Sequence, residues 1–370
     1  MNILVTGANG FIAKNLIVNL KEYTDFNILK FFKDDSAEYL ESCIRQCDVI
    51  FHLAGVNRPN STEEFKTINQ DLTELICNLI IKTNKDIPVF FSSSTQFDNG
   101  SPYGESKRNA EIILKNLISK KFKSLYIYRL PGIFGKWSKP DYNSVVSTFC
   151  HNIANDKPIS ISDENKFIEL VYIDDLVESF IENLKNIRNG VFYPKIQPTY
   201  EITLGDLANQ IQKFKNCREN LMLEKVGVGL TRALYSTYIS YLPKSKYSYP
   251  LKSHDDERGS FVEMAKTQDS GQFSYFTAHP GVTRGCHYHH SKTEKFLIIK
   301  GKARFRFKHI ISNEYFEIFV DESKPVIVET IPGWSHDIKN IGNDLLIVML
   351  WANEVFNPIK PDTFQSEIKK

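Results

Sequence analysis

The chain has 370 residues, 42% hydrophobic and 24% charged, a globular balance with length enough for two or three domains. Lys and Arg number 46 against 44 Asp and Glu, a net charge of +2, which excludes a strongly cationic binder of nucleic acid or membrane. Six scattered cysteines without a C-x-x-C pair exclude a disulfide framework and point to a cytoplasmic protein, and no apolar run approaches the roughly 20 residues that span a bilayer.

Met1-Asn2-Ile3-Leu4-Val5 reads as a buried strand that runs into a tight turn, Thr6-Gly7-Ala8-Asn9-Gly10-Phe11-Ile12-Ala13. A helix over 14–20 follows, then strands at 28–32, 49–53, 89–91 and 126–128, with helical spacing at Leu72, Leu75, Ile76, Leu79 and Ile80. Strand–helix alternation predicts an α/β doubly wound, Rossmann-type domain over 1–242. Pro243 to Pro250 is short, polar and Tyr-rich, and 243–252 reads as a linker. From 253 to 370 short strands are separated by Gly, Pro and Asn without helical periodicity, which predicts an all-β barrel or sandwich.

Glycines at 7 and 10 let backbone N–H groups approach a pyrophosphate at a helix N-terminus, and the small Ala13 permits close helix–sheet packing. Tyr103 and Lys107 are four apart and share one helix face. An ammonium there is expected to lower the Tyr103 pKa and make it a proton donor near neutrality. Ser94 closes the preceding strand, where its hydroxyl can hold a carbonyl oxygen. At the end of the second strand Lys33 precedes Asp34; the base favours a 2′-phosphate and hence NADPH, while the acid keeps NADH open.

These pieces, with His52-Leu53-Ala54-Gly55, Asn69 and Tyr172-Ile173-Asp174-Asp175, resemble the nucleotide-sugar branch of the extended short-chain dehydrogenases/reductases. The resemblance implies that Gly7, Gly10 and Ala13 cradle the pyrophosphate and that Ala54 lines the cofactor path. It makes Tyr103 the acid/base, gives Lys107 a bond to the nicotinamide ribose, and has Ser94 polarise the substrate carbonyl. The chain departs from that family at Ala13, in place of a third glycine, and at Gly132, in place of Asn. Asn143 stands as a substrate contact or a turn residue.

In the second domain His287 and His289 are two apart on a strand and point the same way. Glu294 opens the next strand, and His336 is expected to return from across the barrel. Three imidazoles and a carboxylate make a first shell for one divalent metal, with Zn favoured because no redox role is implied. The spacing G-x5-H-x-H-x4-E-x6-G with P-G-x2-H-x3-N resembles the two-motif signature of the cupins, which have a jelly-roll barrel. Asp255 to Glu263 and Arg284-Gly285-Cys286-His287-Tyr288 resemble dTDP-4-keto-6-deoxysugar epimerases, in which the matching His is a base without metal. The reading here makes His287 a ligand, because the other three complete a set. Arg258 stands as a sugar-nucleotide contact or a solvated turn residue.

The whole chain resembles the CapF/WbjC family of capsular polysaccharide and O-antigen enzymes. That resemblance implies a homodimer acting on a UDP-sugar, with C3 epimerisation of a 4-keto-6-deoxy-N-acetylhexosamine in the cupin and C4 reduction in the first domain. The product would be UDP-2-acetamido-2,6-dideoxy-L-talose, on the route to UDP-N-acetyl-L-fucosamine. His290, Lys292 and His309 are unranked as the epimerase base. The alternative is a one-step reductase whose cupin only binds substrate or pairs subunits.

Overall fold

The computed structural model of the chain describes residues 1–23, 25–59, 61–118 and 124–368. They form two compact units, 1–211 with 227–243, and 212–226 with 244–370.

In the first unit, chain order runs β1 (Asn2–Thr6), α1 (Phe11–Tyr23), β2 (Asn27–Phe31), α2 (Ala37–Gln46), β3 (Val49–His52), α3 (Leu72–Thr83), β4 (Val89–Ser94), α4 (Pro102–Ile118) and β5 (Ser124–Leu130). It continues through β6 (Gly132–Phe134), α5 (Val145–Ala154), β7 (Phe167–Tyr172), α6 (Ile173–Lys185), β8 (Gly190–Phe192) and β9 (Tyr200–Thr203). The main sheet has the order β2-β1-β3-β4-β5-β8 with all neighbours parallel, the Rossmann-type arrangement expected. Both faces are buried, which is why the strands read as apolar runs rather than alternations. One face packs Leu4, Ile50, Val89, Phe91 and Ile127 against Leu40, Ile44, Ile76, Ile80 and Leu114 from α2, α3 and α4. The other carries a row of stacked rings, Phe51–Phe90, Phe90–Tyr126 and Tyr126–Phe192, with centroids 4.6, 4.6 and 5.0 Å apart. The order reverses beside β1, so the carboxyl ends of β1, β3 and β4 open one crevice, where such folds bind ligands.

The helical spacing from Leu72 to Ile80 belongs to α3, which is preceded by a wide π-turn, Phe65–Asp71, that holds Asn69 buried. After α7 (Leu204–Asn220), β10 (Met222–Leu223) and α8 (Gly229–Ser240), the chain enters the strand-rich region. There follow β11 (Ser253–Asp256), β12 (Gly259–Thr267), β13 (Gln272–Ala278), β14 (Thr283–Tyr288), β15 (Glu294–Lys300) and β16 (Lys302–His309). The last strands are β17 (Tyr315–Asp321), β18 (Ile327–Glu329), β19 (Trp334–Asn340), β20 (Leu346–Ala352) and β21 (Phe364–Gln365). They make two sheets, β10-β12-β13-β20-β15-β18, with β11 paired to β12, and β17-β16-β19-β14-β21. This is the jelly-roll expected. β10, too short to show periodicity in sequence, pairs parallel with β12. The inner faces meet around Phe276, Phe296, Phe305, Phe307, Ile338 and Val348.

Phe305 is 1% exposed at the centre of that core. Phe305→Ala should lower the unfolding free energy of the jelly-roll by roughly 3–5 kcal/mol, the usual cost of deleting a core ring. Denaturant melts monitored on the second unit test it.

Candidate active site and metal centre

The turn after β1 puts Gly7 at φ +65°, and a Cβ there would lie 2.7 Å from the Ala54 Cα. Only glycine lets the first turn lie against the end of β3. Gly10 donates its N–H to the Gly7 carbonyl at 2.7 Å, and α1 begins at the next residue. Gly10 and Ala13 line a cleft of about 1090 Å³; Gly55, Ser94, Tyr103, Lys107, Gly132 and Asn143 also line it. Gly7 and Ala54, expected on the cofactor path, are not among the residues that line it.

Lys107 is 4% exposed, and its Nζ donates to the Ser92 carbonyl at 2.8 Å. Burial pushes this ammonium down to about 8, with Glu111 opposing. Glu111, one turn further along α4, is itself buried and accepts from Ser93 Oγ at 2.6 Å and from Arg129 Nε and Nη2 at 3.1 and 2.8 Å. Ser94 Oγ accepts from Gln96 N at 3.1 Å, and its hydroxyl beside Tyr103 favours the ionised phenol against the effect of burial. Three successive serines thus serve three partners: Ser92 holds Lys107, Ser93 meets Glu111, and Ser94 meets Tyr103. Asn69 ties the loop after β3 to α4, accepting from Val56 N at 2.9 Å and donating to Ser106 Oγ at 2.9 Å.

The expectation of a depressed Tyr103 pKa is corrected. Burial pushes the phenol up despite the Ser94 hydroxyl, and the Lys107 ammonium is directed to a main-chain carbonyl instead. Strand β2 ends at Phe31, and Lys33 is exposed in the following loop, where Asp35 accepts from Phe32 N at 2.8 Å. Gly132 has a physical reason: a Cβ would press 3.0 Å from the Glu169 carbonyl across the β6–β7 pair. Glu111 was legible as the next step in the four-residue spacing from Tyr103 and Lys107, but nothing in the sequence tied it to Ser93 and Arg129.

In the second unit His287, His289, Glu294 and His336 bring one ligand atom each to within 4.8 Å of one another. His336 comes from β19, the antiparallel neighbour of β14 and directly opposite His287, not from across the barrel as expected. A bulge makes this register. Gly285 (φ +97°) and Cys286 (φ +63°) displace one residue, so that Gly285 faces Asp337 and His287 faces His336. His289 lies just beyond the end of β14.

The donor set fits a divalent cation. His289 can only donate through Nδ1 to the Asp362 carbonyl, and His336 Nδ1 faces the Trp334 carbonyl at 3.3 Å. That tautomer leaves a bare lone pair on each Nε2. The two Nε2 atoms stand 3.3 and 3.4 Å from one carboxylate oxygen, Glu294 Oε2, and His336 Nε2 is buried without a hydrogen bond. Lone pairs and a carboxylate repel at that distance unless something positive lies between them. Burial would raise the Glu294 carboxyl, but the Lys292 ammonium, 2.7 Å from Oε1, favours its ionised form. Burial pushes His287 down to about 4, which keeps its ring neutral.

A small apolar cavity of about 180 Å³, lined by Phe261, Phe276, Phe296 and Arg284, opens on His287, Glu294 and His336. Arg258 lies outside it, in the β11–β12 turn, bonded through Nε to Asp256 at 3.0 Å. His290, Lys292 and His309 do not line it either; His309 accepts from Ser312 N at 3.0 Å in the β16–β17 turn.

Residues 3–196 match the model of the NAD dependent epimerase/dehydratase family, and 254–364 match the polysaccharide biosynthesis C-terminal domain. The chain is 50% identical, over 100% of its length and 99% of the relative's, to a UDP-2-acetamido-2,6-beta-L-arabino-hexul-4-ose reductase of Pseudomonas aeruginosa. Its structure is similar to that of the capsular polysaccharide assembling protein CapF of Staphylococcus aureus, with TM-score 0.93, 39% identity and full coverage of both chains. It is also 27% identical, over 56% of its length and 83% of the relative's, to a dTDP-4-dehydro-6-deoxyglucose reductase of Escherichia coli. The chain belongs to the NAD dependent epimerase/dehydratase family, in the CapF-like group that joins this reductase fold to a polysaccharide biosynthesis C-terminal domain.

His52 tests the electrostatics of the first unit. It is wholly buried between Thr6 Oγ1 at 2.8 Å and Thr73 Oγ1 at 2.9 Å, and burial pushes its pKa down from 6.5 to about 3. Between those values the unfolded chain binds a proton that the folded one refuses. Stability should therefore fall as pH drops below about 6.5, with a slope of up to ~1.4 kcal/mol per pH unit from this residue. Urea unfolding of wild type and His52→Asn between pH 7.5 and 5 should show a shallower acid loss in the variant.

Proposed function

We propose that the chain is a bifunctional nucleotide-sugar enzyme that epimerises C3 and then reduces C4 of a UDP-4-keto-6-deoxy-N-acetylhexosamine. The product is UDP-2-acetamido-2,6-dideoxy-L-talose, on the route to UDP-N-acetyl-L-fucosamine. The observation that carries the reduction is that Ser94, Tyr103 and Lys107 line one cleft with Gly10 of the glycine turn. The name of the Pseudomonas relative, a hexul-4-ose reductase, supports the same position of the ketone.

A bound reduced nicotinamide supplies hydride. Gly7, Gly10 and Ala13 hold its pyrophosphate, with Ala54 shaping the path, and Lys33 meets a 2′-phosphate, which selects NADPH. Ser94 and Tyr103 hold the substrate carbonyl oxygen, and the high pKa of Tyr103 keeps it protonated and ready to donate. Lys107 bonds the nicotinamide ribose. Asn143 lies along the same cleft and touches the sugar; Arg258, in its exposed turn, contacts the nucleotide.

In the second unit His287, His289, Glu294 and His336 hold one divalent metal, with Zn favoured by a donor set of three imidazole nitrogens and one carboxylate oxygen. The cation supplies positive charge beside the ketone. A 4-keto group acidifies the C3 hydrogen, and removal with return to the opposite face inverts that carbon. Reduction then abolishes the ketone and traps the new configuration.

Among the described residues no helix is long and apolar enough to cross a membrane, which is consistent with the proposed cytoplasmic site of action. Exposed apolar side chains of the jelly-roll, Ile299, Phe319 and Ile327, offer a surface for a homodimer. The second reading, a one-step reductase with a binding module, is favoured by the absence of His290, Lys292 and His309 from the lining of the small cavity.

Tyr103→Phe keeps the ring and deletes the proton donor. NADPH consumption with the 4-keto substrate should fall by roughly 10²–10⁴-fold, and a wild-type rate would remove Tyr103 from the mechanism. His336→Ala should lose metal and stop solvent deuterium entering C3 of the 4-keto sugar. It should still reduce a sugar that already has the inverted C3. Elemental analysis and product NMR read both, and wild-type protein that incorporates no label would favour the binding-module reading.

A further inference from the structure

The segment after β20 returns to the metal centre from more than 60 residues away in sequence. Its strand β21 pairs antiparallel with β14, with His287 opposite Gln365 and Tyr288 opposite Phe364. Ser366 donates its N–H to the Cys286 carbonyl at 2.9 Å and accepts, through its own carbonyl, from Ser335 Oγ at 2.9 Å. One short segment therefore clasps both strands that present His287 and His336. Asp362 makes the closest approach. Its carbonyl accepts from His289 Nδ1. Its carboxylate accepts from the backbone N–H groups of His290, Ser291 and Lys292 at 2.9, 2.7 and 2.8 Å, and from Ser291 Oγ at 3.1 Å.

We propose that Asp362 is a positioning residue of the metal centre, whose carbonyl selects the His289 tautomer and whose carboxylate staples the 290–292 loop between two ligands, His289 and Glu294. A carbonyl can only accept. A hydrogen bond to it places the His289 proton on Nδ1 and turns the Nε2 lone pair toward Glu294 Oε2. The staple fixes residues 290–292, the stretch that leads from His289 toward Glu294, and so holds the backbone on which the His289 ring is mounted. Partners of this outer kind change metal affinity by roughly 10–100-fold in other centres.

The inference rests on the metal reading above, and the experiment separates the two. Full-length wild type, Asp362→Ala and Asp362→Asn are stripped of metal and titrated with Zn²⁺ against a chelator, then loaded with Co²⁺ for its visible ligand-field spectrum. Asp362→Ala should bind Zn²⁺ roughly 10–100-fold more weakly, with a shifted or weakened Co²⁺ spectrum. Asp362→Asn should fall between, because one amide oxygen can still accept while its NH₂ group faces backbone donors. Wild-type affinity and spectrum in either folded variant would overturn the proposal while leaving the ligand set intact. A lower melting temperature of the metal-free variants with an unchanged Co²⁺ spectrum would also overturn it, since that is a folding role alone. Wild type that binds neither ion would remove the metal reading and this proposal together.

Discussion

An ammonium shut away from water must find oxygen, and the first unit is organised around that requirement. Lys107 meets the Ser92 carbonyl at the carboxyl end of β4, and this one bond fixes how α4 lies against the sheet. Because α4 turns every 3.6 residues, the same docking brings Tyr103 to Ser94 on one side and Glu111 to Ser93 on the other. Gly55 has no side chain where Lys107 passes; a Cβ there would sit 2.9 Å from Nζ. The Tyr103 hydroxyl and its serine partner are consequences of where a buried charge can be satisfied.

The second unit answers the same constraint with the opposite sign. A carboxylate 5% exposed, Glu294, faces two imidazole lone pairs and one ammonium. Burying an unpaired charge costs several kcal/mol, and Lys292 pairs one oxygen of this carboxylate while the other faces the imidazoles. Its geometry depends on backbone more than on side chains. The bulge at Gly285 and Cys286 sets which residue of β14 faces His336, and two carbonyls, of Trp334 and Asp362, decide which nitrogen of each ring is bare.

The proposed reactions share one ketone. The C3 hydrogen is acidic only while C4 is a carbonyl, and reduction removes that acidity. Epimerisation before reduction is therefore the only productive order, and the second step makes the first irreversible.

Strand and helix order in the first unit, the glycine turn, the Tyr103–Lys107 spacing and the four side chains that converge in the second unit were legible in the sequence, because each is written in local spacing. Alternation reports which face a strand buries, and a four-residue step reports a shared helix face. Protonation and orientation were not legible. The raised Tyr103 pKa comes from burial by residues distant in sequence, Lys107 points to a carbonyl that no spacing names, and Lys33 falls in a loop beyond the strand. His336 faces His287 because β14 and β19 pair with a bulge, and Asp362 reaches the metal centre from 73 positions beyond His289. Local pattern determines which residues carry the chemistry. Which oxygen each one meets is decided by chain segments that approach only after folding, since hydrogen bonds and desolvation act through space and not along the sequence.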